Sequence, residues 1–578
     1  MYQVGTAKVN ITPNIKDVGM MGYGMWFNIV EDTATPLFAR AYVVEDSTSK
    51  KKFAFVCAEF AFITTSIKRG VMKILNTKHE RLNFTNENVL LTAQHTHSAP
   101  GGFSHYGLYN MSIPGFVPEV YDCYVEGIAK AIVEASEKMK PARIKLKKGS
   151  FAEDVNIAFN RSINAYNRNP EVKTPLGKHE THKAVNREMT LLQFKDEQGQ
   201  AIGSINWFGL HCTSISNDNK KICSDNKGYA AQYTEDAFAK DNPDYNAIFA
   251  QNYCGDISPN YIWDRKKGWT RGSFEDDYKS AQYSGKLQSD KALEIIRSEK
   301  SEKLIKGEID SAMIYVNFAE VYPYPEFTGG KTDVRTGPSC HGVAFLKGTA
   351  EGPGMPVPLA FAANRIVDVI KVYEMLRQAF VDEKERERIR LKYKVQGVKK
   401  VMIESGERKM LGTWNIKRLV IPDIADPSIR IFKEHHRKGA LEEKPWTPQV
   451  LPLQIIILGN IALVSIPGEI TTIAAQRLEK TILDVLKQRG VEEIILNSYA
   501  NSYCGYITTQ EEYQEQCYEG GHTVFGEYTL AAFQSKYQDL AKEMIKKPEL
   551  RKTKHTIKPV KFTPEELALR SYEKKLIS

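Results

Sequence analysis

The chain has 578 residues and a mass of 65.4 kDa, with 42% hydrophobic, 26% charged and 10% aromatic residues. This is globular composition, which excludes collagen, coiled coil and disorder as the main architecture. Lysine and arginine (79) exceed aspartate and glutamate (70) by nine, a mild excess that suits peripheral contact with an anionic membrane surface and does not require nucleic acid.

No apolar run reaches the roughly 18 residues that a spanning helix needs. The nearest, LQIIILGNIALVSI at 453–466, is split by Gly459-Asn460 into two strand-length pieces. The N-terminus, MYQVGTAKVNITP, carries no basic segment followed by an apolar one. It reads as the first strand of a folded domain. The expected location is cytoplasmic, or secreted or periplasmic if a signal peptide has been removed. Eight cysteines lie at 57, 123, 212, 223, 254, 340, 504 and 517 without a CxxC. A disulfide scaffold and an all-cysteine zinc site are therefore not expected.

Along the chain, apolar spacing of 2 predicts strands at 53–63, 89–92, 189–194, 202–210 and 247–251. Spacing of 3.6 predicts helices at 119–139, 229–239, 278–298 and 471–488. Gly459-Asn460 between two β-branched runs signals a hairpin. The alternation of strand and helix predicts an α/β fold, a mixed β-sheet with flanking helices. The charge-dense stretch 382–444 reads as a solvated helix face followed by surface strands. The tail after about 548 is polar and basic and too short for a second domain.

Polar residues collect beside apolar strand ends in four places. In LLTAQHTHSAPGG at 90–102, a strand runs into His95-Thr96-His97. Residues two apart on an extended chain face the same side. Both imidazoles then point at one metal ion, or one binds while the other moves a proton; otherwise they are hydrogen-bonded histidines at a strand end. In INWFGLHCTS at 205–214, His211 follows a second apolar strand. Ligands of open α/β sheets converge at carboxyl ends of strands, and zinc catalysis uses three protein ligands with one open position. His95 and His211 offer two. In SIPGEITT at 465–472, Glu469 sits at a strand-to-helix corner, placed either as a third ligand or as a favourable charge at a helix start. In NYCGDISPN at 252–260, Asp256 and Ser258 make either a turn or a polar site. GxSxG, HExxH, the P-loop and GxGxxG are all missing from the sequence.

Together these patches resemble the neutral (non-lysosomal) ceramidase family. HTHSAPGG at 95–102 is similar to that family's HTHSGPGG, and FNRSINAY at 159–166 to its Asn-Arg-Ser element. WFGLHCTS at 207–214 with CSDNKGYAAQ at 223–232 resembles its second histidine block. GDISPN at 255–260, FLKGTAEGPG at 345–354 and PGEITTIAAQRL at 467–478 follow in order. NSYCGYITTQEEYQEQCYEGGHTVFGEYTL at 501–530 resembles the C-terminal catalytic block.

The resemblance implies a zinc amidase that cleaves N-acylsphingosine into sphingosine and a fatty acid. It implies zinc ligands at His95, His211, Glu469 and Tyr506, with His97 beside the metal. It implies substrate-polarising roles for Arg161 and Tyr518 and an essential Ser258. On this basis residues 1–550 are the catalytic domain and 551–578 a polar tail, with no C-terminal immunoglobulin-like domain expected. The expected partner is a ceramide-like N-acyl lipid; other N-acyl lipids or N-acyl amino compounds, or a non-catalytic lipid-binding role, are the alternatives. Ala99 replaces a glycine of the family motif, Cys504-Gly505 stand where other residues are usual, and the segment from about 380 to 440 has no counterpart placed in the family pattern. Water attack at a metal site is expected over an acyl-Ser258 route, which needs a base beside the serine. Phe103, Tyr106, Tyr109 and Phe116 are candidates for lining an apolar slot or for ordinary packing.

Overall fold

A computed structural model describes residues 2–113, 115–299, 302–414, 427–553 and 557–571. Its largest sheet runs, in spatial order, Asn246–Ala250, Ala201–Trp207, Glu188–Asp196, Lys140–Ser150, Tyr2–Asn10, Phe38–Asp46, Lys52–Ala58 and Val89–Ala93, with Lys303–Leu304 added beside Lys140–Ser150. A second sheet runs Ile309–Asn317, Val450–Leu458, Ile461–Ser465 and Glu493–Asn497. Both are mixed: most ladders are antiparallel, while Lys52–Ala58 with Val89–Ala93, Ala201–Trp207 with Asn246–Ala250, and Ile461–Ser465 with Glu493–Asn497 are parallel.

The strand Lys52–Ala58 shows why these segments read as nearly continuous apolar runs. Phe53, Phe55 and Cys57 point into the core shared by the two sheets, against Ile456, Leu458 and Leu463. Ala54, Val56 and Ala58 point the other way, into a core capped by helices Thr65–Lys78 and Pro118–Glu137. A strand buried on both faces needs apolar residues at every position. Helices Thr472–Leu486 and Thr529–Met544 cover the outer face of the second sheet. The order is helices, sheet, sheet, helices, as the mixed-sheet expectation requires. No immunoglobulin-like domain lies among the described residues.

The two edges of the large sheet run in opposite senses through its ladders, yet their carboxyl ends meet: Gln251 Nε2 donates to the Gln94 carbonyl at 2.9 Å. Accumulated twist of about 20–25° per strand turns the sheet by close to half a revolution over seven steps, which brings these ends together. The loops after Val89–Ala93, Ala201–Trp207 and Asn246–Ala250 therefore share one region with those after Ile461–Ser465 and Glu493–Asn497.

The expected strands and helices are all present, with ends displaced by a few residues. Strand 53–63 stops at Ala58, and strand 202–210 stops at Trp207. The Gly459-Asn460 hairpin is present, with Leu458 facing Ile461 across a two-residue turn. One expectation is corrected. The stretch 382–444 contains helix Glu383–Gln396, but strands Val401–Glu404 and Lys409–Met410 are not on the surface. Met402, Ile403, Glu404, Lys409 and Met410 are buried. Their charges are absorbed by pairing: Lys392 meets Glu374 and, at 3.2 Å, Glu404, and Arg388 meets Glu404 at 3.0 Å. Residues 415–426 of that stretch lie outside the described residues. All eight cysteines are free thiols. In the tail, Arg570 is buried, donates to the His105 carbonyl at 2.7 Å and stacks over Phe562.

Candidate metal centre and active site

Five loops meet at the converging strand ends. The first histidine pair does not sit on an extended strand. Val89–Ala93 ends two residues earlier, and His95 has φ 74°. The left-handed backbone is held by His95 N–H to the Phe60 carbonyl at 3.1 Å. The two rings still converge, with His97 Nε2 2.9 Å from His95 Nε2. Gly22 (φ +139°) makes room for them, since a Cβ there would fall 2.3 Å from His97 Cγ. A bridge between Thr96 and Cys212 ties the first histidine loop to the second, which places His211 opposite His95 with ring centroids 5.2 Å apart.

Glu469 does not open the helix; it forms, with Ile470, a two-residue strand, and the helix begins at Thr472. Asp256, not Glu469, caps that helix: its Oδ1 accepts from Thr472 N–H and Thr472 Oγ1, each at 2.9 Å. Glu469 is thereby free to face the histidines. Its Oε2 lies 3.0 Å from His211 Nε2, and its Oε1 3.5 Å from His95 Nε2. The ligand atoms of His95, His211 and Glu469 all lie within 4.8 Å of one another, and all three residues are buried.

The hydrogen-bond chemistry of this cluster fits a cation. His95 Nδ1 meets the Ala61 carbonyl at 2.6 Å and His211 Nδ1 meets the Ile257 carbonyl at 2.8 Å. A carbonyl only accepts, so both Nδ1 atoms carry the hydrogen. In the neutral rings both Nε2 atoms are then bare lone pairs aimed at a carboxylate, an arrangement that repels unless a positive charge lies between them. Backbone carbonyls fix metal-binding histidines in this way. Burial pushes His95 down to about 4, against the opposing pull of Glu469. Burial also raises the Glu469 carboxyl, but the facing His95, His211 and Tyr503 outweigh it and hold it well below the carboxylate range. Tyr503 and Tyr499 donate to Glu469 at 2.5 and 3.1 Å.

Tyr506 supplies a fourth polar atom, its hydroxyl 3.5 Å from His211 Nε2. Arg161 lies behind it and donates from Nη2 to the Tyr506 hydroxyl at 2.8 Å. Arg161 also pairs with Glu351 at 2.5 Å and Glu519 at 2.8 Å. Burial would weaken its charge, but Tyr506, Glu519 and Glu351 hold it firmly cationic. Tyr518 packs against both, with its ring 5.4 Å from that of Tyr506 and 5.7 Å from the Arg161 guanidinium carbon. Ser258 pairs with Phe159 in a short antiparallel ladder next to Arg161. Its hydroxyl contacts Glu351 Oε2, which also accepts from Asn260 at 3.0 Å and Thr213 at 3.1 Å.

A profile described as neutral/alkaline non-lysosomal ceramidase, N-terminal, matches residues 2–424 and 436–535. The chain belongs to the neutral/alkaline non-lysosomal ceramidase family. Among relatives of this ceramidase-family chain, the neutral ceramidase of Pseudomonas aeruginosa is 30% identical over 541 residues, covering 93% of this chain and 72% of the relative. Neutral ceramidase A of Dictyostelium discoideum is 31% identical over 576 residues, covering 94% and 73%. A solved structure titled ceramidase complexed with C2 superposes with a TM-score of 0.76 at 28% identity, covering 97% of this chain and 77% of the other. The crystal structure of the Pseudomonas aeruginosa neutral ceramidase gives 0.74 at 28% identity, covering 97% and 76%. The profile runs through 424, so most of the stretch from about 380 to 440 does have a family counterpart; only 425–435 interrupts the match.

All eight candidate residues of this ceramidase-family chain lie in one connected cluster. Sequence reasoning missed Glu351, Glu519, Tyr499 and Tyr503. Glu351 stands in GTAEGPG, whose glycines mark a close turn, but nothing in the sequence says which carboxylate that turn delivers. The aromatics Phe103, Tyr106 and Phe116 are buried among other side chains, and Tyr109 packs on Phe62 and Tyr503.

Proposed function

We propose that the chain is a zinc-dependent amidohydrolase that cleaves the N-acyl amide of ceramide to sphingosine and a free fatty acid. The observation that carries this reading is the buried His95/His211/Glu469 cluster, with bare Nε2 lone pairs against a carboxylate, in a chain of the ceramidase family. Two imidazoles and a carboxylate form the three-ligand nitrogen-and-oxygen set of a catalytic zinc site, and the Tyr506 oxygen, an uncommon donor to zinc, adds a fourth. Such an ion supplies Lewis acidity and a water that loses its proton near neutral pH.

The residues around it divide the remaining work. Arg161, held by Glu351 and Glu519, presents a fixed positive charge where the carbonyl oxygen gathers negative charge. Tyr518 lines the same place with a phenol that burial keeps protonated. The attacking water bonds to the carbonyl carbon and passes one proton to His97 Nε2. When the carbon–nitrogen bond breaks, that proton goes to the leaving nitrogen, and a carboxylic acid and an amine are released.

Ser258 has a carboxylate beside it, which an acyl-serine route requires. Glu351, however, already accepts from Arg161, Asn260 and Thr213. A carboxylate paired with a guanidinium is a weak base. Water attack is the favoured route, and Ser258 positions substrate or water.

The test is fatty-acid release from a short-chain N-acylsphingosine, with and without a zinc chelator. Release that chelation abolishes and zinc restores supports the reading. No release from a chain holding stoichiometric zinc rejects ceramide and directs the search to other N-acyl lipids and N-acyl amino compounds.

A further inference from the structure

Helix Val357–Arg377 reverses the ordinary arrangement of a surface helix. Its buried positions are small or paired, namely Ala360, Ala363, Val367 and Glu374. Its large apolar residues face out: Phe361 is 62% exposed, Val369 69%, Val372 60%, Tyr373 62% and Leu376 67%, and Phe380 in the following turn 88%. Phe361, Val369, Val372 and Leu376 fall on one stripe at helical spacing. A monomeric soluble protein seldom exposes large contiguous apolar patches, and those it does expose mark interaction sites; here six large apolar side chains, each at least 60% exposed, lie along one helix and its following turn.

Its charges are one-sided. Asp368 pairs with Lys400 and Glu374 with Lys392. Arg365 and Lys371 are exposed and have no carboxylate partner among the described residues; they lie over the rings of Phe361, at 5.1 Å, and Tyr393, at 5.3 Å. Arg365 stands within the stripe itself. Long cationic side chains lying along apolar surface suit a water–lipid boundary, where the stem is buried and the head stays wet.

The helix is also tethered to the site. The loop before it carries Glu351, which contacts Ser258 and Arg161. Five residues, a span of at most about 20 Å, separate Glu351 from Val357. The short helix before that loop, Val343–Leu346, packs Phe345 5.6 Å from Tyr518.

We propose that helix Val357–Arg377 is the face by which this protein lies on an anionic phospholipid bilayer, with its apolar stripe in the boundary between head groups and acyl chains. The purpose assigned to it, delivering a lipid amide to the adjacent site, rests on the ceramide reading above. A second copy of the chain fits less well. A two-fold contact packs a patch on itself and would bring the unpaired Arg365 of each copy into the same apolar interface.

The experiment is co-sedimentation of the full chain with ceramide-free vesicles, either pure phosphatidylcholine or equimolar phosphatidylcholine and phosphatidylglycerol. The expected result is binding that favours the anionic vesicles and weakens with salt. Combined Phe361→Gln, Val372→Gln and Leu376→Gln should weaken it at least about tenfold by removing buried apolar area. Unchanged circular dichroism and unchanged turnover of a soluble short-chain amide would show that this variant is folded. Combined Arg365→Gln and Lys371→Gln should abolish the preference for anionic vesicles while leaving residual binding. The proposal fails if the chain leaves both vesicles unbound, if the triple variant binds as well as the parent, or if the chain is a dimer that the triple variant dissociates. Vesicle binding without amide turnover would overturn the ceramide reading alone.

Discussion

Glu469 and Tyr506 are direct partners in a two-stranded parallel ladder, in which Glu469–Ile470 lies against Tyr506–Ile507. Glu469 N–H donates to the Gly505 carbonyl at 2.8 Å. Backbone pairing thus sets the distance between a carboxylate and a phenol that both face His211. Tyr503 reaches the same carboxylate from the loop leading into that ladder.

Tyr503→Phe removes the donor to Glu469 Oε1 without altering the ladder. Loss of an outer partner of a ligand typically costs about 10–100-fold in metal affinity. We expect that loss in a zinc competition titration, with protein stability little changed. His95→Ala and His211→Ala should go further, leaving the purified chain with less than one zinc per molecule by elemental analysis. Stoichiometric zinc in both alanine variants would refute the centre.

Glu351→Gln takes away one of the two carboxylates that hold Arg161. Misplacing a positioning group by about 1 Å costs on the order of 100-fold. The expected result is a kcat lowered by about 10–100-fold with KM changed much less. Glu351→Asp should recover part of the loss. Equal kinetics in parent and variant would remove Glu351 from the site.

Ser258→Ala separates the two hydrolytic routes. If water attacks, the variant keeps measurable turnover, reduced by about 10–100-fold through lost positioning. Mass spectrometry of the parent quenched during turnover should then find no acyl group on Ser258. A trapped acyl-Ser258, together with complete loss of activity in the variant, would establish the covalent route instead.

Lys68 gives a pH-dependent test of the fold away from the site. Its buried ammonium donates to the Val89 carbonyl. Burial pushes it from 10.5 down to about 7. Below pH 7 both folded and unfolded chains hold the proton, and the folded state carries the full cost of a buried charge. Between about 7 and 10.5 the unfolded chain binds more protons, so stability rises with pH. Lys68→Met should therefore be more stable than the parent at pH 6. That advantage should shrink by several kcal/mol, at about 1.4 kcal/mol per pH unit, toward pH 10. Denaturant unfolding at the two pH values measures it, and a pH-independent difference would contradict it.

Much of this molecule is legible in one dimension. The continuous apolar run of Lys52–Ala58, the Gly459-Asn460 hairpin and the helix at Pro118–Glu137 are local, because propensity and turn chemistry act over a few residues. His95, His97, His211 and Glu469 stand out because polar residues at apolar strand ends are conspicuous, and the ordered family blocks place Tyr506, Arg161, Tyr518 and Ser258 beside them. The tertiary structure alone decided how they meet. Sheet twist joins the ends carrying Gln94 and Gln251. The left-handed backbone at His95, not strand alternation, turns its ring toward His97. Glu351 and Tyr503 enter through contacts between distant segments, and the outward apolar face of Val357–Arg377 depends on which side the rest of the chain covers. Sequence patterns record what each segment prefers locally; contacts between distant segments are set by packing, and no local pattern encodes them.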